Sequence, residues 1–357
     1  MSGFNIDSKS VPRNPLQFEL FNKIGNIMTQ GFSNQNGVVS FSKYWLFLKA
    51  SLLALTSSLL FINLSHAQSS ASGSVPHYNP KAKFEIKITE IPYRTNASGR
   101  VLKARIYEPV GKGPFPTMVD FHGGAWNNKD RFAEEPMDQA IAKSGVLVVA
   151  VDLTLAGDAP YPANLQDASY AIRWVKHNAP QWHGDSQKIG IYGSSSGGHV
   201  AQLLALRPND PRYNAIVLEQ NPKIDTSIAY IATRSPISDP FGRFANATRL
   251  KRDRMINNHY TYFKPFESIH EANPQEILDR KEPHGKLPPF LLMYGDLDDN
   301  VLPVLQEKFT AAYRRAGGEI QLREFKDSEH EWVAKESAQT DLARATVKAF
   351  IAKQYPR

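Results

Sequence analysis

At Ile189-Gly190-Ile191-Tyr192 a short apolar run enters Gly193-Ser194-Ser195-Ser196-Gly197-Gly198 and continues directly as His199-Val200-Ala201-Gln202-Leu203-Leu204-Ala205-Leu206. A buried strand that turns straight into a helix leaves a chain few folds to choose from. The central residue of G-x-S-x-G sits on a turn so tight that side chains two positions either side of it would collide, so Gly193 and Gly197 are required there. The Ser195 hydroxyl is then exposed, with a helix N-terminus behind it. Five such residues alone would equally suit a Gly/Ser-rich loop; the flanking strand and helix favour a nucleophile.

The remaining pattern agrees with that junction. Phe84–Ile88 and Leu102–Tyr107 alternate apolar and polar residues, as half-buried strands do, and are expected to form an antiparallel edge. Val146–Val151, Ile189–Tyr192, Ala215–Leu218 and Phe290–Tyr294 are continuously apolar and read as strands covered on both faces. Helical spacing runs through Asn164–His177, Val301–Arg315 and Ala338–Phe350. Strand and helix in alternation predict an α/β fold, a mostly parallel sheet with helices on both faces.

Composition removes several functions. With no cysteine there is no disulfide, thiolate metal site or cysteine nucleophile. The excess of 42 basic over 35 acidic side chains is spread thinly, so no nucleic-acid partner is expected. Residues 50–64 form an uncharged, Leu-rich run behind Lys43 and Lys49, and Ser65-His66-Ala67 offers small residues for a signal peptidase. Residues 1–67 therefore read as a leader with an export signal cut after Ala67, which implies a secreted or periplasmic protein with no stable membrane span. An uncleaved anchor is the rival, but the run is short for a spanning helix, which needs about 20 apolar residues. Gln68 in place of Cys argues against lipid attachment, and the polar stretch to Ser42 points to Met28 as the start. Residues 68–82 read as a linker and 83–357 as the folded domain.

A second chemical signal lies where Pro116–Phe121, a strand, meets His122-Gly123-Gly124-Ala125-Trp126. Such a turn can aim backbone N–H groups into a pocket. Acyl transfer needs them, because its tetrahedral intermediate carries a negative oxygen that preorganised donors stabilise by about 3 kcal/mol each. The amides of Gly123, Gly124 and Ser196 are assigned that oxyanion hole. His122 is expected to brace the loop, and Trp126 to stand near the acyl group as a substrate contact.

Together, residues 122–126, Tyr161-Pro162-Ala163-Asn164-Leu165-Gln166-Asp167 and 193–198 resemble the α/β-hydrolase superfamily, in its carboxylesterase branch near hormone-sensitive-lipase-like and bacterial feruloyl-esterase-type enzymes. The resemblance spans roughly 83–354. It implies a triad in the chain order Ser, Asp, His. After Phe290–Tyr294, Gly295-Asp296-Leu297-Asp298-Asp299-Asn300-Val301 matches the family's G-x-x-D-x-x-V, which makes Asp298 the acid; Asp296 and Asp299 are the alternatives, otherwise turn or capping residues. After Ile320–Phe325, the loop Lys326–Trp332 presents His330 as the base. His199, His177, His183 and His284 stand where they could not meet Ser195, whereas His259 and His270 could touch substrate.

These assignments imply attack by Ser195 on an ester carbonyl and an acyl-enzyme released by water. No metal or organic cofactor is expected, since H-E-x-x-H, EF-hand, P-loop and dinucleotide patterns are lacking. The partner is a small-molecule ester. Many relatives carry Tyr-Arg after the aspartate of the preceding strand; this chain reads Asp152-Leu153-Thr154 there and lacks the arginine that the resemblance would assign to bracing the active-site loops. Residues 235–286 read as a cap insertion, with Arg249, Lys251, Arg252 and Arg254 as a solvated face. Its aromatics, Tyr260, Tyr262, Phe263 and Phe266, suit packing and substrate contact equally. An amidase or formamidase on the same triad is the alternative activity, and a non-catalytic binding protein the less favoured one.

Overall fold

The computed structural model describes residues 78–208 and 210–355; the leader, its cleavage point after Ala67 and residues 68–77 of the linker lie outside the described residues. Eight strands form one sheet in the order β1-β2-β4-β3-β5-β6-β7-β8. They are β1 (Ile86–Thr95), β2 (Val101–Pro109), β3 (Phe115–Phe121), β4 (Leu147–Val151), β5 (Gly184–Ser194), β6 (Tyr230–Arg234), β7 (Phe290–Gly295) and β8 (Ile320–Phe325). β1 and β2 are antiparallel to their neighbours, and every pair from β4 to β8 is parallel. The division follows the patterning. β3, β4, β6 and β7 are buried at every residue, while β1 at the margin is exposed or partly buried everywhere but Tyr93.

Helices cover both faces. On one lie α2 (Ala163–Asn178), α3 (Ser196–Leu206) and α8 (Pro303–Arg315), which place Leu165, Val200 and Phe309 in the larger core. On the other lie α1 (Glu135–Ala142) and α9 (Ala338–Gln354), with Met137, Ile141, Val347 and Phe350. In α2 the stripe Leu165, Ala168, Ala171, Ile172, Val175 is fully buried; its larger members are worth roughly 1.5–3 kcal/mol apiece. Both faces of α3 are occupied, so all eleven of its residues are buried.

Between β6 and β7 the chain forms four short helices, α4 (Pro240–Arg249), α5 (Asp253–Tyr262), α6 (Ser268–Glu271) and α7 (Pro274–Asp279). Side chains start two of them: Asp239 accepts from the Gly242 amide and Asn273 from that of Glu276.

One expected strand is absent from the sheet. Ala215–Leu218 lies in a turn-rich segment in which Ala215 and Val217 are exposed. Its place beside β5 is taken by Tyr230–Arg234, which pairs Gly190 with Tyr230 through Ser194 with Arg234. Apolarity favoured the first segment, yet four residues with two open to solvent cannot fill a position covered on both sides. β6 fills it although it ends in a buried arginine.

Candidate active site

Four parallel strands end toward one point, as ligand sites in such sheets require. Ser195 follows β5, the His122-Gly123-Gly124 turn follows β3, Asp298 follows β7 and His330 follows β8. Ser195 has φ +49° and ψ −113°, a conformation side chains avoid. It is held there by its amide, which donates to the Arg234 carbonyl at 2.9 Å, and by its carbonyl, which accepts from Ile237 at 3.0 Å and His199 at 3.2 Å. The flanking glycines are required by contact. A Cβ on Gly197 would lie 1.8 Å from the Phe121 carbonyl oxygen, and one on Gly193 would lie 2.8 Å from that of Gly197.

The Ser195 hydroxyl donates to Nε2 of His330 at 3.0 Å, and Nδ1–H of His330 donates to Oδ2 of Asp298 at 2.8 Å. The other carboxylate oxygen of Asp298 accepts from the amides of Asn300 at 3.0 Å and Val301 at 2.8 Å. Burial pushes the Asp298 carboxyl up. The His330 hydrogen bond and charge, with the Val301 amide, outweigh it, and the group titrates below the usual carboxylate range. Neither neighbour competes for His330: Asp296 accepts from the Ser328 amide, and Asp299 is engaged with Arg252.

Gly123 and Gly124 line the same cavity as Ser195. Gly124 has φ +103°, and a Cβ there would stand 2.0 Å from the Asn128 carbonyl oxygen, so the turn admits only glycine. Among the described residues, the amides of Gly123, Gly124 and Ser196 meet no protein acceptor. His122 lies behind the turn, donating from Nδ1 to the Gly123 carbonyl at 2.8 Å and accepting from the Leu153 amide at Nε2. The loop is also tied at Asp152, which takes the backbone and guanidinium of Arg131; a different arginine from the one the resemblance suggested supplies a brace. Asp167 adds another, accepting from the Thr154 amide at 2.7 Å and pairing with Arg94.

Trp126 is not the substrate contact that its place beside the glycine turn predicts. It does not line the cavity but is 3% exposed, stacked on Tyr262 at 4.6 Å and 3°, with its indole N–H on Nδ1 of His199. Packing this flat leaves no face for an acyl chain. His199 passes the tie on, donating from Nε2 to the Ala272 carbonyl at 2.7 Å, so one buried unit links the glycine turn, α3 and the segment between α6 and α7. His259 and His270 do not reach the cavity either. His259 is buried against Met255 and Arg243, and His270 pairs with Glu276 away from it.

The cavity has a volume of about 750 Å³. Five cations (Lys129, Arg234, Arg243, Arg252, Arg254) and three carboxylates (Asp299, Glu329, Glu331) line it, so it is unusually polar for a small-molecule site. Arg252 and Arg254 therefore face the site rather than only solvent, while Tyr262 and Phe263 are buried under it. Arg234 is 2% exposed, donates to Glu134 at 2.7 Å and holds the His330 carbonyl through its other amino group. Behind it the carboxyls of Asp120 and Asp138 are pushed well above their usual range by burial and then by neighbouring carboxylates.

Arg234, Arg243 and Asn300 were not singled out by sequence reasoning. For Arg243 a signal exists: it shares the buried stripe of α4 with Pro240, Asn246 and Ala247. An arginine at an apolar stripe position marks a charge with a purpose.

Residues 105–312 match the BD-FAE family model. Esterase LipQ of Mycobacterium tuberculosis is 24% identical over 292 residues, covering 80% of this chain and 66% of that protein. Carboxylesterase NlhH of the same organism is 30% identical over 202 residues, covering 55% and 61%. The chain thus spans less than two thirds of the length of these relatives. Among solved structures, the propionate-bound esterase Est2 of Thermogutta terrifontis superimposes with TM-score 0.59 at 21% identity, over 76% of this chain and 94% of that one. Esterase B of Lactobacillus rhamnosis gives 0.62 at 19%, over 85% and 96%. At these identities the superpositions establish a shared fold.

Proposed function

Because this chain belongs to the BD-FAE family, within the α/β-hydrolase carboxylesterases, we propose that it is an exported serine hydrolase that cleaves small carboxylic esters through an acyl-enzyme. One observation carries the reading: the unbroken hydrogen-bond chain Ser195, His330, Asp298 beside a turn of unengaged amides. His330 takes the hydroxyl proton at Nε2 as the Ser195 oxygen bonds to the acyl carbon, and Asp298 holds the imidazole by Nδ1 and stabilises its charged form. The negative carbonyl oxygen is received by the N–H groups of Gly123, Gly124 and Ser196. Collapse breaks the bond to the alcohol oxygen, which leaves with the proton from His330. A water, deprotonated by the same imidazole, then adds to the acyl carbon and releases the acid while Ser195 recovers its proton.

The esterase names of the relatives support ester over amide substrates. Residues 50–67 support export, which N-terminal sequencing tests: the mature protein begins at or near Gln68, and an intact leader favours the anchor. The domain reading, a hydrolase domain over 83–357 with a cap over 235–286, rests on the same pattern. Ser195→Ala is expected to lower hydrolysis of p-nitrophenyl butyrate by about four orders of magnitude or more. Undiminished turnover, or organophosphonate label on a peptide lacking Ser195, would remove the mechanism; faster cleavage of a matched anilide than of the ester would favour the amidase.

A further inference from the structure

Three of the five cations that line the cavity have a carboxylate partner: Lys129 with Glu331, Arg234 with Glu134, Arg252 with Asp299. Arg243 differs. Its residue is 2% exposed, and its guanidinium is held entirely by neutral groups. Nε–H and one N–H of Nη2 donate to Oδ1 of Asn300 at 3.0 and 2.8 Å, and one N–H of Nη1 donates to Nε2 of His259 at 3.3 Å. That histidine must be neutral there, because its Nδ1–H is committed to the Met255 carbonyl at 2.7 Å. The Trp126 ring lies 5.9 Å away. Of five N–H donors, two are left over, one on each terminal nitrogen, and among the described residues no protein group accepts them.

Asp298 is the nearby negative charge, but no carboxylate is hydrogen-bonded to the Arg243 guanidinium, and a buried cation whose donors are left unpaired is costly. Burial pushes the Arg243 guanidinium down to about 10, against which the nearby Asp298 charge works, so it stays protonated at neutral pH. Arg254, exposed at the rim of the same cavity, adds a second charge of the same sign; Glu329, also exposed, is the opposing one. Two N–H groups on adjacent nitrogens of a pre-oriented fork match the two oxygens of a carboxylate.

Resting on the esterase reading, we infer that Arg243 is the specificity-determining residue of an anion subsite and that the preferred substrates are esters bearing a free carboxylate beyond the scissile bond. The carboxylate can belong to the acyl or to the alcohol part, and matched ester pairs separate the two. p-Nitrophenyl hydrogen glutarate against p-nitrophenyl valerate places it on the acyl side. 4-Acetoxybenzoate against methyl 4-acetoxybenzoate places it on the alcohol side. The intact protein is expected to prefer the anionic member of one pair in kcat/KM. Arg243→Met is expected to reduce that anionic-to-neutral ratio by roughly tenfold to a hundredfold, the worth of charged hydrogen bonds.

Equal losses on both members, or no preference in either pair, would overturn the subsite. Should Arg243→Met not fold, Arg254→Gln decides through a severalfold fall in the ratio and a weaker dependence on salt; an unchanged ratio and salt dependence count against it. Calorimetric titration with glutarate reads the subsite without turnover. Binding that Arg243→Met abolishes, in a protein that cleaves no ester, would leave the subsite standing and remove the hydrolase reading. Ester cleavage with neither preference nor glutarate binding would do the reverse.

Discussion

Acidification should loosen this molecule through His199, by an amount its surroundings fix. The imidazole is fully buried, and burial pushes its pKa down to about 4, only partly opposed by the hydrogen bond to the Ala272 carbonyl. In the unfolded chain a histidine titrates near 6.5. Between those values the unfolded state binds a proton that the native state refuses. The stability from neutral His199 is therefore complete above about pH 6.5 and is lost as the pH falls toward 4, at about 1.4 kcal/mol per pH unit. By pH 5 the loss is about 2 kcal/mol. His199→Gln keeps an N–H donor toward Ala272 but cannot titrate. Urea unfolding followed by tryptophan fluorescence, at half-unit steps from pH 7 to 5, gives ΔG for both proteins. The variant's plot should be shallower by about 1.4 kcal/mol per unit below pH 6.5, every other titrating group being common to the two. Parallel plots would refute the reasoning, since they require His199 to accept a proton as readily folded as unfolded.

Other perturbations read the site directly. Of Asp296→Asn, Asp298→Asn and Asp299→Asn, the second should lower kcat by about four orders of magnitude, as loss of the orienting acid does elsewhere, and the others by far less; a dominant loss at either neighbour in ester assays would reassign the acid. Arg234→Met leaves Glu134 buried without its cation and frees the His330 carbonyl. A cost of about 3–5 kcal/mol in urea unfolding is expected, together with a fall in kcat larger than any change in KM; stability within experimental error of the original would show that the buried pair is not coupled to folding. Gly197→Ala brings a methyl against the Phe121 carbonyl and should yield insoluble or unfolded protein, so a folded variant by circular dichroism would mean that the turn can yield.

What was legible in the sequence was local. The junction from Ile189 to Leu206 announces itself because strand apolarity, paired glycines and helical periodicity are adjacent, and the helices at 164–177, 301–315 and 338–350 were readable from one apolar stripe each. Where the deciding contacts are remote, reading failed. Tyr230–Arg234 shows no continuous apolar run, since it ends in Thr233-Arg234; the partners that let this arginine be buried, Glu134 and the His330 carbonyl, lie 100 and 96 residues away. Trp126 was expected beside substrate because its neighbours are the oxyanion glycines, yet His199, 73 residues on, fixes it underneath. Asp298 was separable from Asp296 and Asp299 only by family pattern, since which of three adjacent carboxylates meets an imidazole is set by how β7 and β8 end together. The pairing of Arg243 with Asn300, 57 residues apart, left no trace in composition.

The backbone at Ser195 has a longer-range consequence. Its positive φ is a posture that a residue without a Cβ would adopt freely and serine holds at a cost of order 1–3 kcal/mol. Thermodynamic selection and catalytic selection thus pull this codon in opposite directions. In a library screened for heat resistance alone, glycine should accumulate at position 195, producing sturdier and inert descendants, and serine should persist only where turnover itself is rewarded.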